Sequence, residues 1–256
     1  MINLVLPVSN IIKEFPLSFI NSFKTLEYKY PSPLIFPQKD KIFHSSFSLV
    51  QDDFERIYRE SGIASFIIKN RIRRFSLDAG PCFTVFKVVD NQYIGEKNRL
   101  TSGDLMMLCR KRIKFLRQLL PEQCEIAVEN LNYYNTSAYD GVCTAEFYNE
   151  LCKNLQIRLV LDIAHAFVTD YNLYKNRKQF IDLIDANNVC EVHLSKMRVE
   201  SSGAIDAHEL PDEVEINALS EFMTRRNVKS NLDVVVEHYK NASGVMTFYT
   251  KIMRTF

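Results

Sequence analysis

Leu159-Val160-Leu161-Asp162-Ile163-Ala164-His165-Ala166-Phe167 decides how the rest of the chain is read. An apolar run without polar alternation predicts a strand buried on both faces. This one ends in an acid, Asp162, and His165 follows one turn later. The C-terminal end of such a strand is where a β/α barrel carries its chemistry. Other apolar runs of the second half end in the same way. Glu129 closes Ile126-Ala127-Val128, His193 closes Cys190-Glu191-Val192, and Glu237 closes Val234-Val235-Val236.

Working outward, eight strands are predicted: Ile2–Leu6, Leu26–Tyr30, Ile42–Leu49, Arg74–Leu77, Glu125–Glu129, Arg158–Asp162, Val189–Leu194 and Asp233–Glu237. Helical patterns separate most of them. The first starts at Ser9 or Asn10 and is interrupted by Pro16. Gln51–Asn70 is broken at Gly62, and Ser102–Leu120 opens on a Ser/Asp cap and stops at Pro121. Thr144–Leu155, Asn176–Asp185, Asp212–Arg226 and Ala242–Arg254 complete the set. Strand–helix alternation implies a parallel sheet with helices outside, and eight strands imply closure. The expected fold is α/β, a single (β/α)8 TIM barrel spanning residues 1–256 as one domain. Phe83–Thr101 is a long connection, suited to a lid over the barrel mouth.

A net charge of +1 exerts no global pull toward nucleic acid or a membrane. Arg110, Lys111, Arg112, Lys114 and Arg117 form a basic run, read as the solvated face of an outer helix. The six cysteines contain no C-x-x-C pair and lie mostly in apolar segments, which predicts buried, reduced thiols and a cytoplasmic protein. The apolar N-terminal run is too short to cross a membrane and reads as the first strand.

The five histidines are His44, His165, His193, His208 and His238. The first four fall at strand ends or just after them, together with Asp78, Glu129, Asp162, Asp206 and Glu237. His238 follows Glu237, so strand alternation turns it to the other face. Buried acids cost several kcal/mol each unless paired or metal-bound, and the neighbouring strand ends supply few cations. Divalent metals neutralise such a cluster and use the imidazoles. D-x-x-H at Asp162 and His165, and D-x-H at Asp206 and His208, let two side chains of one loop reach the same or adjacent ions. His44, Asp78, Glu129, Asp162, His165, His193, Asp206, His208 and Glu237 exceed the needs of one ion, so two or three are expected. Imidazole with carboxylate suits iron, zinc or manganese. Asn130 and Lys196 are candidates for substrate contact.

The order of these residues resembles the xylose-isomerase-like barrel superfamily: His on the third strand, Glu-Asn on the fifth, D-x-x-H on the sixth, His-Leu on the seventh, then D-x-H-E and a final Glu. Within it, Val128-Glu129-Asn130-Leu131-Asn132-Tyr133-Tyr134, Glu146–Leu151 and Asp206-Ala207-His208-Glu209-Leu210-Pro211 resemble the multinuclear non-heme iron-dependent oxidases of the methanobactin-biosynthesis type. That resemblance implies an iron- and oxygen-using enzyme that reworks residues, often cysteine, of a ribosomally made precursor peptide. It implies a companion protein holding the peptide, and metal ligation by His44, Glu129, Asp162, His193, Asp206, His208 and Glu237. Asp162-Ile163-Ala164-His165-Ala166-Phe167 also looks like the apurinic endonuclease IV family, whose tri-zinc site cuts a phosphodiester. The iron oxidases carry Asn at the position of His165, and both families carry His at that of Asp78. The endonuclease's glycine-rich DNA-contacting pattern is missing.

Four functions are compatible with these residues: a peptide-modifying iron oxidase, a zinc phosphodiesterase, a mononuclear sugar isomerase or epimerase, and a barrel retained as a binding module. The first uses all the ligand candidates, with Glu129, Asp162, His193 and Glu237 at the centre of catalysis. In the sugar reading Glu129 and Glu237 exchange a proton α to a carbonyl, which leaves His44, Asp206 and His208 idle.

Overall fold

A computed structural model of the chain describes residues 2–175, 179–201, 203–225 and 232–255. Eight parallel strands close into a barrel: β1 (Ile2–Val8), β2 (Thr25–Tyr28), β3 (Asp40–Ser48), β4 (Arg74–Asp78), β5 (Glu125–Glu129), β6 (Arg158–Asp162), β7 (Val189–Leu194) and β8 (Leu232–Val236). Each pairs with its neighbour in sequence, and β8 returns to β1 through Ile2–Val5 against Leu232–Val235. All the predicted strands form, with ends moved by a residue or two.

Helices cover the outside. Pro16 sits just before helix Leu17–Ser22, where its missing N–H costs nothing. Gly62, at φ +73°, divides Phe54–Glu60 from Ile63–Asn70. Helix Ser102–Leu119 is capped one residue earlier than expected: Thr101 and Asp104 exchange side-chain-to-backbone bonds in a capping box. Helices Ala145–Leu155, Gln179–Leu183, Glu213–Arg225 and Ala242–Thr255 follow the predicted periodicity. Asn176 and Arg226, expected in two of the helices, lie outside the described residues. Arg112 departs from the solvated-face reading, because it is buried and pairs with Glu55 at 2.6 Å, while Arg117 binds the carbonyls of Leu155 and Gln156. All six cysteines are free and buried. Among the described residues no helix is long and apolar enough to cross a membrane.

Three segments differ from the sequence reading. Phe83–Thr101 is mostly an antiparallel hairpin, Phe83–Val89 with Gln92–Arg99. A second hairpin, Lys196–Glu200 with Gly203–Glu209, carries Asp206 and His208, which were expected in a loop. Helix Ile163–Tyr174 begins directly after Asp162, so D-x-x-H is a helix start. Its missing polar face explains the misreading: seven of its residues are buried.

Strand alternation sorts the side chains. Outward residues such as Leu26, Phe43, Phe75, Val128, Leu161, Val192 and Val234 join the helices in the main core. Inward residues fill the barrel in levels. Val5, Ile42 and Val235 pack together in the middle. Below them Arg74 reaches Glu125 at 2.7 Å, Asp233 at 2.7 Å and Glu191 at 3.3 Å. Arg73 and Asn3 also bind Asp233. Gly80 lets β4 leave against β3: at φ +93°, a Cβ there would lie 1.7 Å from Ser48 Oγ.

Arg74 is the shared cation of three carboxylates, two of them buried. Arg74→Met removes the cation that these carboxylates share and is expected to cost about 3–5 kcal/mol, read as a lower urea midpoint. An unchanged midpoint would show that the floor network contributes nothing.

Candidate metal centre

The top level of inward residues is acidic and imidazole-rich because Asp78, Glu129 and Asp162 end β4, β5 and β6, His193 is the penultimate residue of β7, Glu237 follows β8, and His44 reaches in from the middle of β3. His44, Asp78 and Glu129 offer donor atoms within 4.8 Å of one another, as do Glu129, Asp162, His193 and Glu237, and also Glu27, His44 and His193. Shared members make this one continuous cluster. The second hairpin extends it. Asp206 Oδ2 lies 3.1 Å from His208 Nε2 and 3.4 Å from His165 Nε2, and His208 Nδ1 is 3.8 Å from Glu237.

Surrounding hydrogen bonds orient three of the four imidazoles. Ser76 Oγ donates to the Phe43 carbonyl and so accepts from His44 Nδ1 at 3.1 Å, which turns His44 Nε2 toward Glu129 at 3.2 Å. His165 Nδ1 donates to the Asn130 carbonyl at 2.8 Å and leaves Nε2 toward Asp206. His193 Nε2 donates to Glu191 at 3.0 Å, and its Nδ1 faces Glu129 and Glu237 at 2.9 and 3.3 Å. A carboxylate or carbonyl behind an imidazole fixes its tautomer and raises its basicity as a ligand. Asp162 caps its helix through Oδ1, accepting from His165 N at 2.7 Å, which leaves Oδ2 for the cluster. His208 sits at φ +46°, a left-handed conformation costly for a non-glycine residue. Its N–H is held by Asp206 and its carbonyl by His238 Nδ1.

The electrostatics follow from crowding six carboxylates (Glu27, Asp78, Glu129, Asp162, Asp206 and Glu237) against one ammonium, Lys29. Burial, with repulsion from Asp206, Glu129 and Glu237, pushes Asp162 up to about 8. Burial and Glu129 raise Asp78 to about 6. Burial acts against ionisation of Glu129, yet His44 and His193 hold it well below the carboxylate range. Burial likewise opposes Glu237, which Lys29 and His193 pull down. Burial would lower His193 and His165, but the surrounding acids raise both. Both oxygens of Glu27, Asp162 Oδ2, Asp206 Oδ2 and His208 Nδ1 are buried without a well-formed hydrogen bond, despite charged neighbours close by. Orphaned acceptors in an acidic cluster with oriented imidazoles fit divalent metal ions.

All nine predicted ligand candidates gather here, Asp78 at one end and His208 at the half-exposed other. The two substrate candidates do not present themselves to the cluster. Asn130 accepts from Asp162 N and donates to Asp162 O, tying β5 to β6. Lys196 pairs with Asp212 at 3.2 Å. His238 was set aside but supports the His208 loop. Sequence reasoning passed over Glu27, Lys29, Glu191, Tyr93 and Tyr239. Glu27 and Lys29 end β2 by the same alternation that placed the other acids, and Glu191 precedes His193 by two, on the same face. Lys29 is the one ammonium at these strand ends among the described residues, in keeping with the expectation that they supply few cations. Nothing local marks Tyr93, whose hydroxyl crosses from the first hairpin to Asp78 at 3.2 Å, or Tyr239, whose hydroxyl donates to Glu237 at 3.0 Å.

Known proteins resemble this chain in fold and in sequence. The barrel is similar to a xylose isomerase domain-containing protein from Salmonella typhimurium LT2, with a TM-score of 0.67 and 12% identity over 99% of this chain and 96% of that one. It is also similar to a D-psicose 3-epimerase from Clostridium cellulolyticum H10, with a TM-score of 0.55 and 12% identity over 97% and 90% of the two chains. These likenesses define a xylose-isomerase-like (β/α)8 barrel. A UPF0276 protein of Neisseria meningitidis serogroup B is 31% identical over 87 residues, 33% of this chain and 31% of the relative, so the match spans about a third of that protein's length. Residues 100–252 match the sequence profile of the RiPP precursor modification enzyme MbnB/TglH/ChrH. That match takes in more than half of the chain, including β5 to β8 and both residues of the D-x-H hairpin, and the chain therefore belongs to the MbnB/TglH/ChrH family of RiPP precursor modification enzymes.

Proposed function

We propose that this protein is a multinuclear non-heme iron enzyme that uses dioxygen to oxidise a residue, with cysteine the leading candidate, of a ribosomally made precursor peptide. The observation that carries the reading is the surplus of oriented donors: overlapping His/carboxylate groups share His44, Glu129 and His193, and the His165–Asp206–His208 set adjoins them. A single ion has no use for so many ligands. His44, Asp78, Glu129, Asp162, His165, His193, Asp206, His208 and Glu237 are assigned as the iron ligands.

Bound iron would supply electrons to dioxygen and an open coordination position for the peptide group. The protein's own part is positioning. Glu191 and Ser76 hold His193 and His44 by their far nitrogens. Asn130 locks the strand ends that carry Glu129 and Asp162 at a fixed separation. Tyr93 and Tyr239 cover Asp78 and Glu237 with hydroxyls, which limits water at those carboxylates.

Protein purified anaerobically from iron-supplemented cells is expected to hold more than one coupled iron per chain by elemental analysis and Mössbauer spectroscopy. Zinc without iron would overturn the oxidase reading in favour of phosphodiester cleavage, and a single manganese would favour sugar chemistry.

Glu129→Ala and His193→Ala are each expected to abolish metal retention and turnover while circular dichroism keeps the barrel signal. Retained activity in either variant would remove these residues from the centre.

Metal uptake is expected to release protons. Asp162, at about 8, and Asp78, at about 6, hold theirs at or below neutrality, and His165 and His193 are raised. Ligands bind metal only after deprotonation. Apparent affinity, read by competition with a chromophoric chelator, should therefore rise from pH 6 to above pH 8. A flat profile would mean that these groups do not ligate.

A further inference from the structure

Lys29 is the one ammonium within this acidic cluster among the described residues. It lies two residues after Glu27, just past the end of β2, with its side chain 19% exposed. Its Nζ is 2.5 Å from Glu237 Oε1 and 3.2 Å from Glu27 Oε2. Glu237 Oε1 also accepts from Tyr239. Glu27, His44 and His193 converge within 4.8 Å as a donor group in their own right. Its imidazoles are shared with other acids: His193 Nε2 lies 3.0 Å from Glu191 as well as 3.2 Å from Glu27 Oε1, and His44 turns Nε2 to Glu129. Glu27 is a fully buried carboxylate held between the His193 imidazole at Oε1 and the Lys29 ammonium at Oε2, each 3.2 Å away. An ammonium bridging two carboxylates neutralises charge as a metal ion does, but as a tethered, monovalent donor.

We propose that Lys29 takes the position of one metal ion, acting as a built-in cation between Glu27 and Glu237, so that the natural chain loads fewer ions than its donor set would otherwise hold. The inference rests on the metal-centre reading and deepens it. It assigns the Glu27 side of the mouth to the lysine and the Asp78, Asp162 and Asp206 sides to metal. It also makes Lys29 a positioning residue for Glu237, which the lysine holds against His193.

The test is metal stoichiometry, independent of turnover. Wild type, Lys29→Met and Lys29→Gln are equilibrated anaerobically with ferrous iron, and in parallel with manganese as a redox-stable probe, dialysed and measured by elemental analysis. The lysine-free proteins are expected to retain about one ion more per chain than wild type. Their metal-free melting temperature should fall, and metal should restore it by a larger increment than in wild type, because binding to the folded state alone stabilises by mass action. Glu27→Gln combined with Lys29→Met removes the vacated carboxylate as well and should return the count to the wild-type value. Equal counts in wild type and both lysine variants overturn the inference while leaving the metal centre intact. A melting temperature lowered by the same amount with and without metal overturns it too, since that is the mark of a purely structural lysine. Absence of retained metal from all the proteins overturns the metal-centre reading and this inference with it.

Discussion

Glu191 accepts from Arg74 through one oxygen and from His193 through the other, and this shared carboxylate couples the floor of the barrel to its mouth. Arg74 below, Glu191 between and His193 above form a charge-alternating column along the interior, continued by Glu129 and Glu237. The column is buried throughout, so every member depends on its neighbour for compensation. Burial opposes ionisation of Glu191, but His193 and Arg74 hold it down to about 2. A charged Glu191 keeps a proton on His193 Nε2, so the proton a metal would displace is the one on Nδ1, which faces Glu129 and Glu237. The floor therefore does more than stabilise the fold: it sets the direction in which the central imidazole presents its donor.

The same logic organises the rim. Three of the four imidazoles, those of His44, His165 and His193, are held from behind by groups that serve the fold: Ser76 on β4, the Asn130 carbonyl after β5 and Glu191 on β7. Donors mounted on barrel strands inherit the rigidity of the ladder, whereas Asp206 and His208 ride on a hairpin. Ser195, which donates to Asp206 Oδ1 at 2.7 Å, and His238, which binds the His208 carbonyl, anchor that hairpin to the ends of β7 and β8. The left-handed backbone of His208 is held by these contacts rather than by its own preference. Preorganisation of this kind allows a crowded acidic site to keep its shape.

Asp162, Glu129, His193 and Glu237 were legible because each ends an apolar run, and such a run has few structures in which its terminal acid is not brought to a mouth. Asp206 and His208 were legible as a spacing, though the hairpin that carries them was not, since its polar, two-sided strands have no buried face to give a period. Glu27 lies inside the short second strand, which, unlike the later ones, is not an apolar run closed by an acid. Lys29 falls within the predicted strand Leu26–Tyr30, where nothing local marks the carboxylates it meets. Tyr93 lies in a segment whose pairing, Phe83–Val89 with Gln92–Arg99, is set by the hairpin itself and by Tyr139 and Thr136, which grip Tyr93's backbone.

By itself the sequence determined the alternation of strand and helix, the closure into a barrel and the parity that turns strand-end acids inward, because period and length are local properties of the chain. Tertiary structure alone decided which inward residues share a level. Closing eight tilted strands sets their stagger, and that stagger brings Lys29 onto Glu237 across 208 residues and Arg74 onto Asp233 across 159. Charge compensation is a through-space quantity, so the partner of each buried acid is fixed only when the barrel closes.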